Sequence, residues 1–133
     1  MPMPELSPEQ IRQVSDFVAE YIFSQRDRFR ERARHLCTPQ KSALAGFFRS
    51  DVLDAARILV LERERIGNPC FYPRLRTLGF DNLPDFALMA AVTFRDVVVS
   101  HEPFSNGLLF PEFVHVEQYR QLGVSRCSMF RAF

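Results

Sequence analysis

The chain reads as an α+β protein, with helices at the N-terminus, a small β-sheet, and a motif-bearing helix packed on that sheet. Three observations predict this class. Ile11, Val14, Phe17, Val18, Tyr21 and Ile22 follow one another at helical spacing behind Ser7-Pro8-Glu9-Gln10. Residues 91–99 (AVTFRDVVV) form a β-branched, aromatic-rich run suited to a strand. Residues 110–123 form an amphipathic segment that closes on Gly123, a residue that favours the end of a helix.

Each element has a local reason. Ser7 can cap the first helix, Pro8 suits its first position, and Gln10 completes a capping box. Phe29 and Ala33 extend the apolar face of this helix. Arg26, Arg28, Arg30, Arg32 and Arg34 alternate with other residues around it, with Asp27 and Glu31 placed to pair with them, which predicts a solvated face. Thr38-Pro39 starts a second, short helix reaching about Phe47-Phe48, and Ser50-Asp51 caps a third. Ile58-Leu59-Val60-Leu61 is a compact apolar run read as a buried strand, although helical continuation satisfies the same pattern. Asn68 to Pro73 reads as a loop laying aromatic rings on the core, because each proline drives the preceding residue into extended geometry. Residues 75–86 read as irregular, with a helical turn opening at Pro84-Asp85-Phe86. Residues 91–99 are predicted as one strand, ended by His101-Glu102-Pro103-Phe104, and Ser105 or Asn106 caps the helix that follows.

The totals bound the function. The 133 residues suit one domain, 1–133, with a helical part over 1–49 and a strand and motif-helix part over 50–123. With 47% apolar residues the chain can bury a core, and its fourteen Phe and no Trp make Phe rings the main filling. A net charge of +1 gives no general attraction to nucleic acid or to an acidic membrane. No apolar run reaches the ~18 residues of a membrane span, and Met1-Pro2-Met3-Pro4-Glu5 has neither the basic nor the apolar part of a secretory signal. Three cysteines, at 37, 70 and 127, without C-x-x-C spacing, suit reduced thiols and a cytoplasmic location.

The chemistry concentrates in Pro111-Glu112-Phe113-Val114-His115. A five-residue H-E-x-x-H helix grips zinc with two imidazoles one turn apart, and its Glu acts as general base on the metal-bound water. Here Glu112 and His115 occupy the last four positions of that pattern, and Pro111 stands where the first imidazole would be. Pro111 has no donor atom. It would also remove a hydrogen bond to Gly107 in a helix beginning near Ser105, predicting a kink or a late helix start.

Residues 108–119 (LLFPEFVHVEQY) resemble the "LLFHELVHVxQY" helix of small, mostly uncharacterised bacterial zincin-like proteins. Residues 92–104 (VTFRDVVVSHEPF) and the stretch from Asn68-Pro69 to Leu83-Pro84 are similar to the same family, so the resemblance covers about Ser50 to Gly123. It implies a zincin-like fold of the gluzincin-like group, with zinc as the family's cofactor and a peptide as substrate. It also implies Glu112 as the general base and His115 as the second zinc ligand. The family's third ligand, usually a Glu, comes from a downstream helix, whereas residues 124–133 contain no acidic residue. The expectation is therefore a truncated, catalytically inactive member of the family that binds no zinc.

Two alternatives remain open from the sequence. One is a rebuilt metal site using His101 and His115, with Glu102, Glu112 or Cys127 joining them; their bland readings are a turn histidine bonded to backbone and a leftover helix histidine. The other is a non-catalytic module that binds a protein or itself through an apolar patch near Phe113, Val116 and the Phe130/Phe133 tail. His35 and Cys37 sit too far from any partner motif to support a site.

Overall fold

The computed structural model describes residues 5–122. Among them the chain forms, in order, α1 (Pro8–Arg30), β1 (Arg34–His35), α2 (Thr38–Leu44), α3 (Ser50–Ala55), β2 (Arg57–Val60), α4 (Tyr72–Thr77), a 3-10 turn (Phe86–Leu88), β3 (Ala91–Phe94), β4 (Val97–Ser100) and α5 (Asn106–Leu122). The class is mixed α+β, with five α-helices and a four-stranded sheet of order β1-β2-β4-β3. β2 and β4 run parallel, and the outer pairs β1/β2 and β3/β4 are antiparallel. No helix among the described residues is long and apolar enough to cross a membrane.

The sheet separates two apolar layers. Val97 and Val99 of β4 join Val14, Val18, Ile22 and Phe29 of α1 on one side. Val98 faces the other way and joins Leu109, Phe113 and Val116 of α5, together with Val52 and Leu53 of α3. β4 is thus buried on both faces, which explains its unbroken apolar run. Phe29, Phe94 and Phe113 are the largest fully buried side chains, so phenylalanine does supply the bulk of the core.

The capping box at Ser7 and Gln10 forms with bonds of 2.9 and 3.1 Å. Several expectations are corrected. Residues 91–99 are two strands rather than one, because Phe94 pairs with Val97 and leaves Arg95-Asp96 as a two-residue hairpin turn. The turn contains no Gly or Asn to announce it; Arg95 itself takes a positive φ of 60°. α4 occupies residues read as loop and irregular chain: Pro73 lies in its first turn, where a missing N–H leaves nothing unsatisfied. α2 ends at Leu44, short of Phe47-Phe48, and β1 adds two sheet residues to the otherwise helical 1–49 part. The arginine-rich face of α1 is not simply solvated. Arg26 pairs with Asp96, while Arg28 and Arg32 converge on Glu64.

α5 runs without interruption from Asn106 through Pro111 to Leu122, so the predicted late start does not occur. Ser105 caps it, its Oγ accepting from the Leu108 N–H at 3.2 Å. Pro111 leaves the Gly107 carbonyl without its helical partner. Anchorage by Leu109, Phe113 and Val116, at 1%, 0% and 5% exposure, holds the helix across that defect. The Gly123 stop and the Phe130/Phe133 tail lie outside the described residues, as does Cys127.

Candidate functional site

Glu112 and His115 lie on successive turns of α5 and line the same cleft, about 180 Å³ in volume. The cleft opens between α5, the outer strand β3 and the segment carrying Pro84, Phe86 and Met89. β3 is an edge strand of the sheet and packs directly on α5. The strand beside the cleft is therefore the first arm of the hairpin, with the helix beneath it.

The Glu112 carboxylate is held by this architecture. Thr93 points to the α5 side of β3, and its Oγ1 lies 2.7 Å from Glu112 Oε2 and 3.2 Å from the main-chain oxygen of the same residue. Thr93 is buried at 6% exposure, so the hydroxyl donates from inside the sheet–helix interface. His115 is exposed on the next turn, where its Nδ1 donates to Gln118 Oε1 at 3.0 Å. Tyr119, one further turn along, also lines the cleft. Burial pushes its hydroxyl up to about 12, against the opposing charge of Arg95 and with added help from Glu112.

Pro111, the position of the first imidazole in an H-E-x-x-H helix, contributes no donor. His101 does not join His115. Its Nδ1 donates to the Met89 carbonyl at 2.6 Å, and its Nε2 accepts from the Ile66 N–H at 3.0 Å. With both ring nitrogens committed, the imidazole has no lone pair left for a metal. His101 is a clamp between two loops and β4, the turn-residue role. Glu102 is exposed, and its N–H donates to Ser100 Oγ at 3.0 Å. Among the described residues, no three His, Cys, Asp or Glu side chains are grouped to share a metal ion.

The apolar patch is also redrawn. Phe113 and Val116 are buried under the sheet, whereas Phe110 and Val114 are each 38% exposed and Phe47 is 69% exposed. Phe47 stands edge-on to Phe110 with ring centres 5.0 Å apart.

The sequence reading missed Thr93 and Tyr119 as neighbours of Glu112. A threonine in a β-branched run carries no mark of a carboxylate partner nineteen positions on. Only the 3.6-residue period of α5 could have placed Tyr119 with Glu112 and His115. Comparison of the chain with models of known protein families, with curated proteins and with solved structures gives no match.

Proposed function

We propose that this chain is a zincin-like metallopeptidase-family domain that is catalytically inactive as encoded. One observation carries the reading. Glu112 and His115 share a cleft beside an edge strand, with the sequence spacing of the general base and second imidazole of an H-E-x-x-H helix, while Pro111 occupies the position of the missing imidazole. Zinc enzymes hold their metal with three protein donors and leave a fourth position to water. The donors in this cleft do not fit that need: His115 is one, and the Glu112 carboxylate is engaged by Thr93. No step through a metal follows from such a set. A rebuilt site through His101 would have to free Nε2 from the Ile66 N–H, leaving that buried donor without its acceptor.

The test is zinc stoichiometry by elemental mass spectrometry, on wild type and His115→Ala purified after growth with added zinc. Both should carry far less than one zinc per chain, and neither should cleave a fluorogenic casein substrate. Near-stoichiometric zinc that disappears in His115→Ala would overturn the proposal. A second reading, a self-associating module, draws on the exposed Phe47–Phe110 pair. It predicts a light-scattering mass that rises with concentration and falls back in Phe47→Ser.

A further inference from the structure

The β3–β4 turn places an arginine where the backbone favours glycine. At φ 60° Arg95 enters the left-handed region, which bulky L-residues occupy at a cost. Glycine leads at the first position of two-residue hairpin loops with this sign of φ. Backbone strain of this kind collects at binding sites, where a side chain is needed in spite of it.

The charges around Arg95 are otherwise matched. Asp96 is gripped by Arg26, Asp51 is bonded twice by Arg49 at 3.1 Å, and Arg120 bonds Glu117. Arg95 lies over the Phe23 ring of α1 at 4.7 Å; among the described residues its guanidinium forms no ion pair within 4 Å, although its charge adds to the lowering of the Asp96 carboxyl. Arg95 and Arg120 line a second cleft, about 290 Å³, between α3, the hairpin turn and α5. The cleft's apolar wall comes from Val52, Ala55 and Val116. Tyr119 stands at its edge, and its hydroxyl, protonated at neutral pH as any phenol is, is a hydrogen-bond donor.

We infer that this second cleft binds a small carboxylate with an apolar body, its anionic end on Arg95 and its body against Val52, Ala55 and Val116. An anion is favoured over a cation because both carboxylates at the rim already have their own arginines. The occupant is small, since about 290 Å³ falls just below the ~300–1,000 Å³ range of ligand pockets. The site is separate from the Glu112–His115 cleft, with Tyr119 lining both.

An NMR titration of the full chain tests this, with sodium hexanoate as probe and hexylamine as counter-probe at fixed ionic strength. Hexanoate should give saturable shifts at the Ala55, Arg95 and Val116 amides, with a Kd on the order of 1 mM. Hexylamine should bind at least ~10-fold more weakly. Arg95→Gly relieves the positive φ, so it should match or exceed the wild-type Tm while losing roughly 10-fold in hexanoate affinity. Ala55→Leu fills the cleft with Arg95 in place and should also lose binding. Shifts that do not saturate, equal binding of the amine, or undiminished hexanoate binding by Arg95→Gly would each overturn the assignment.

Discussion

Arg26 reaches from α1 to Asp96 in the hairpin turn with two hydrogen bonds, Nε to Oδ1 at 2.8 Å and Nη2 to Oδ2 at 3.1 Å. The bond joins residues seventy positions apart and fixes the β3–β4 turn against the first helix. β3 carries Thr93, and Thr93 holds Glu112, so this one pair braces the strand on which the candidate site leans. Burial acts to raise the Asp96 carboxyl, but the Arg26 hydrogen bond and charge outweigh it and hold it below the ordinary carboxylate range.

Arg26→Leu should therefore destabilise the chain by about 1–2 kcal/mol, the worth of a charge-assisted pair reduced for its partial exposure. The expected fall in Tm is roughly 3–10 °C. The sign with pH follows from the lowered carboxyl. Its stabilisation is present above the unfolded value of ~3.9 and is lost as pH falls through the folded value. Arg26→Leu should lose most of its deficit against wild type in acid. Thermal melts from pH 7 to pH ~2 check this, and a deficit that stays constant down to the lowest pH would refute it.

The three tyrosines make the opposite prediction in alkali. Burial raises all three hydroxyls, Tyr72 and Tyr119 to about 12 and Tyr21 further still. Tyr21 donates to the Gly67 carbonyl at 2.7 Å and Tyr72 to the Pro84 carbonyl at 2.6 Å. Groups raised in the folded state stabilise it fully below the unfolded value, ~10, and lose that contribution as pH climbs through the folded values. Phenolate absorbance should stay low past pH ~10 and then rise together with loss of helical circular dichroism. A tyrosine that ionises near pH 10 in a still-folded chain would count against this packing.

What the sequence disclosed follows from the range of the interactions involved. The capping box at Ser7 and Gln10 and the apolar period of α1 are made within a turn or two, so they can be read from neighbours. The hairpin could not, because Arg95-Asp96 lacks turn chemistry and is held by Arg26 from a distant helix. α4 is masked in the sequence because Pro73, which breaks a helix from its interior, here lies in the first turn. In the candidate site, the Glu112-x-x-His115 spacing was legible from the helix period alone, whereas the Thr93 contact depends on a strand register. The role of His101 depends on Met89 and Ile66, which only the folded chain brings to it.

His101→Ala should show that role directly. The substitution strips the Ile66 N–H, in a residue with 0% exposure, of its acceptor at 3.0 Å. A buried donor left unsatisfied costs about 1–3 kcal/mol. Hydrogen exchange at the Ile66 amide should accelerate well beyond the change at the Val98 amide of the central strand. Zinc content should be the same as in wild type. Equal protection of the Ile66 amide in both proteins would remove the clamp.

Pro111 sits mid-helix in α5 and should be the largest removable defect of that element. A proline in a helix interior costs about 3 kcal/mol through the lost hydrogen bond and the clash with the carbonyl four residues before. Pro111→Ala restores an N–H for the Gly107 carbonyl and should raise Tm by roughly 10 °C. Pro111→His should gain somewhat less stability, as histidine is a poorer helix former than alanine. It also returns an imidazole one turn before His115, so zinc should now bind measurably, yet weakly, because two imidazoles fall short of the three protein donors of a working site. Calorimetric titration with zinc, beside thermal melts of both variants, separates the helix effect from the metal effect. A Tm unchanged in Pro111→Ala would mean that the sheet contacts of Leu109 and Phe113 already absorb the proline, and the helix argument would fail.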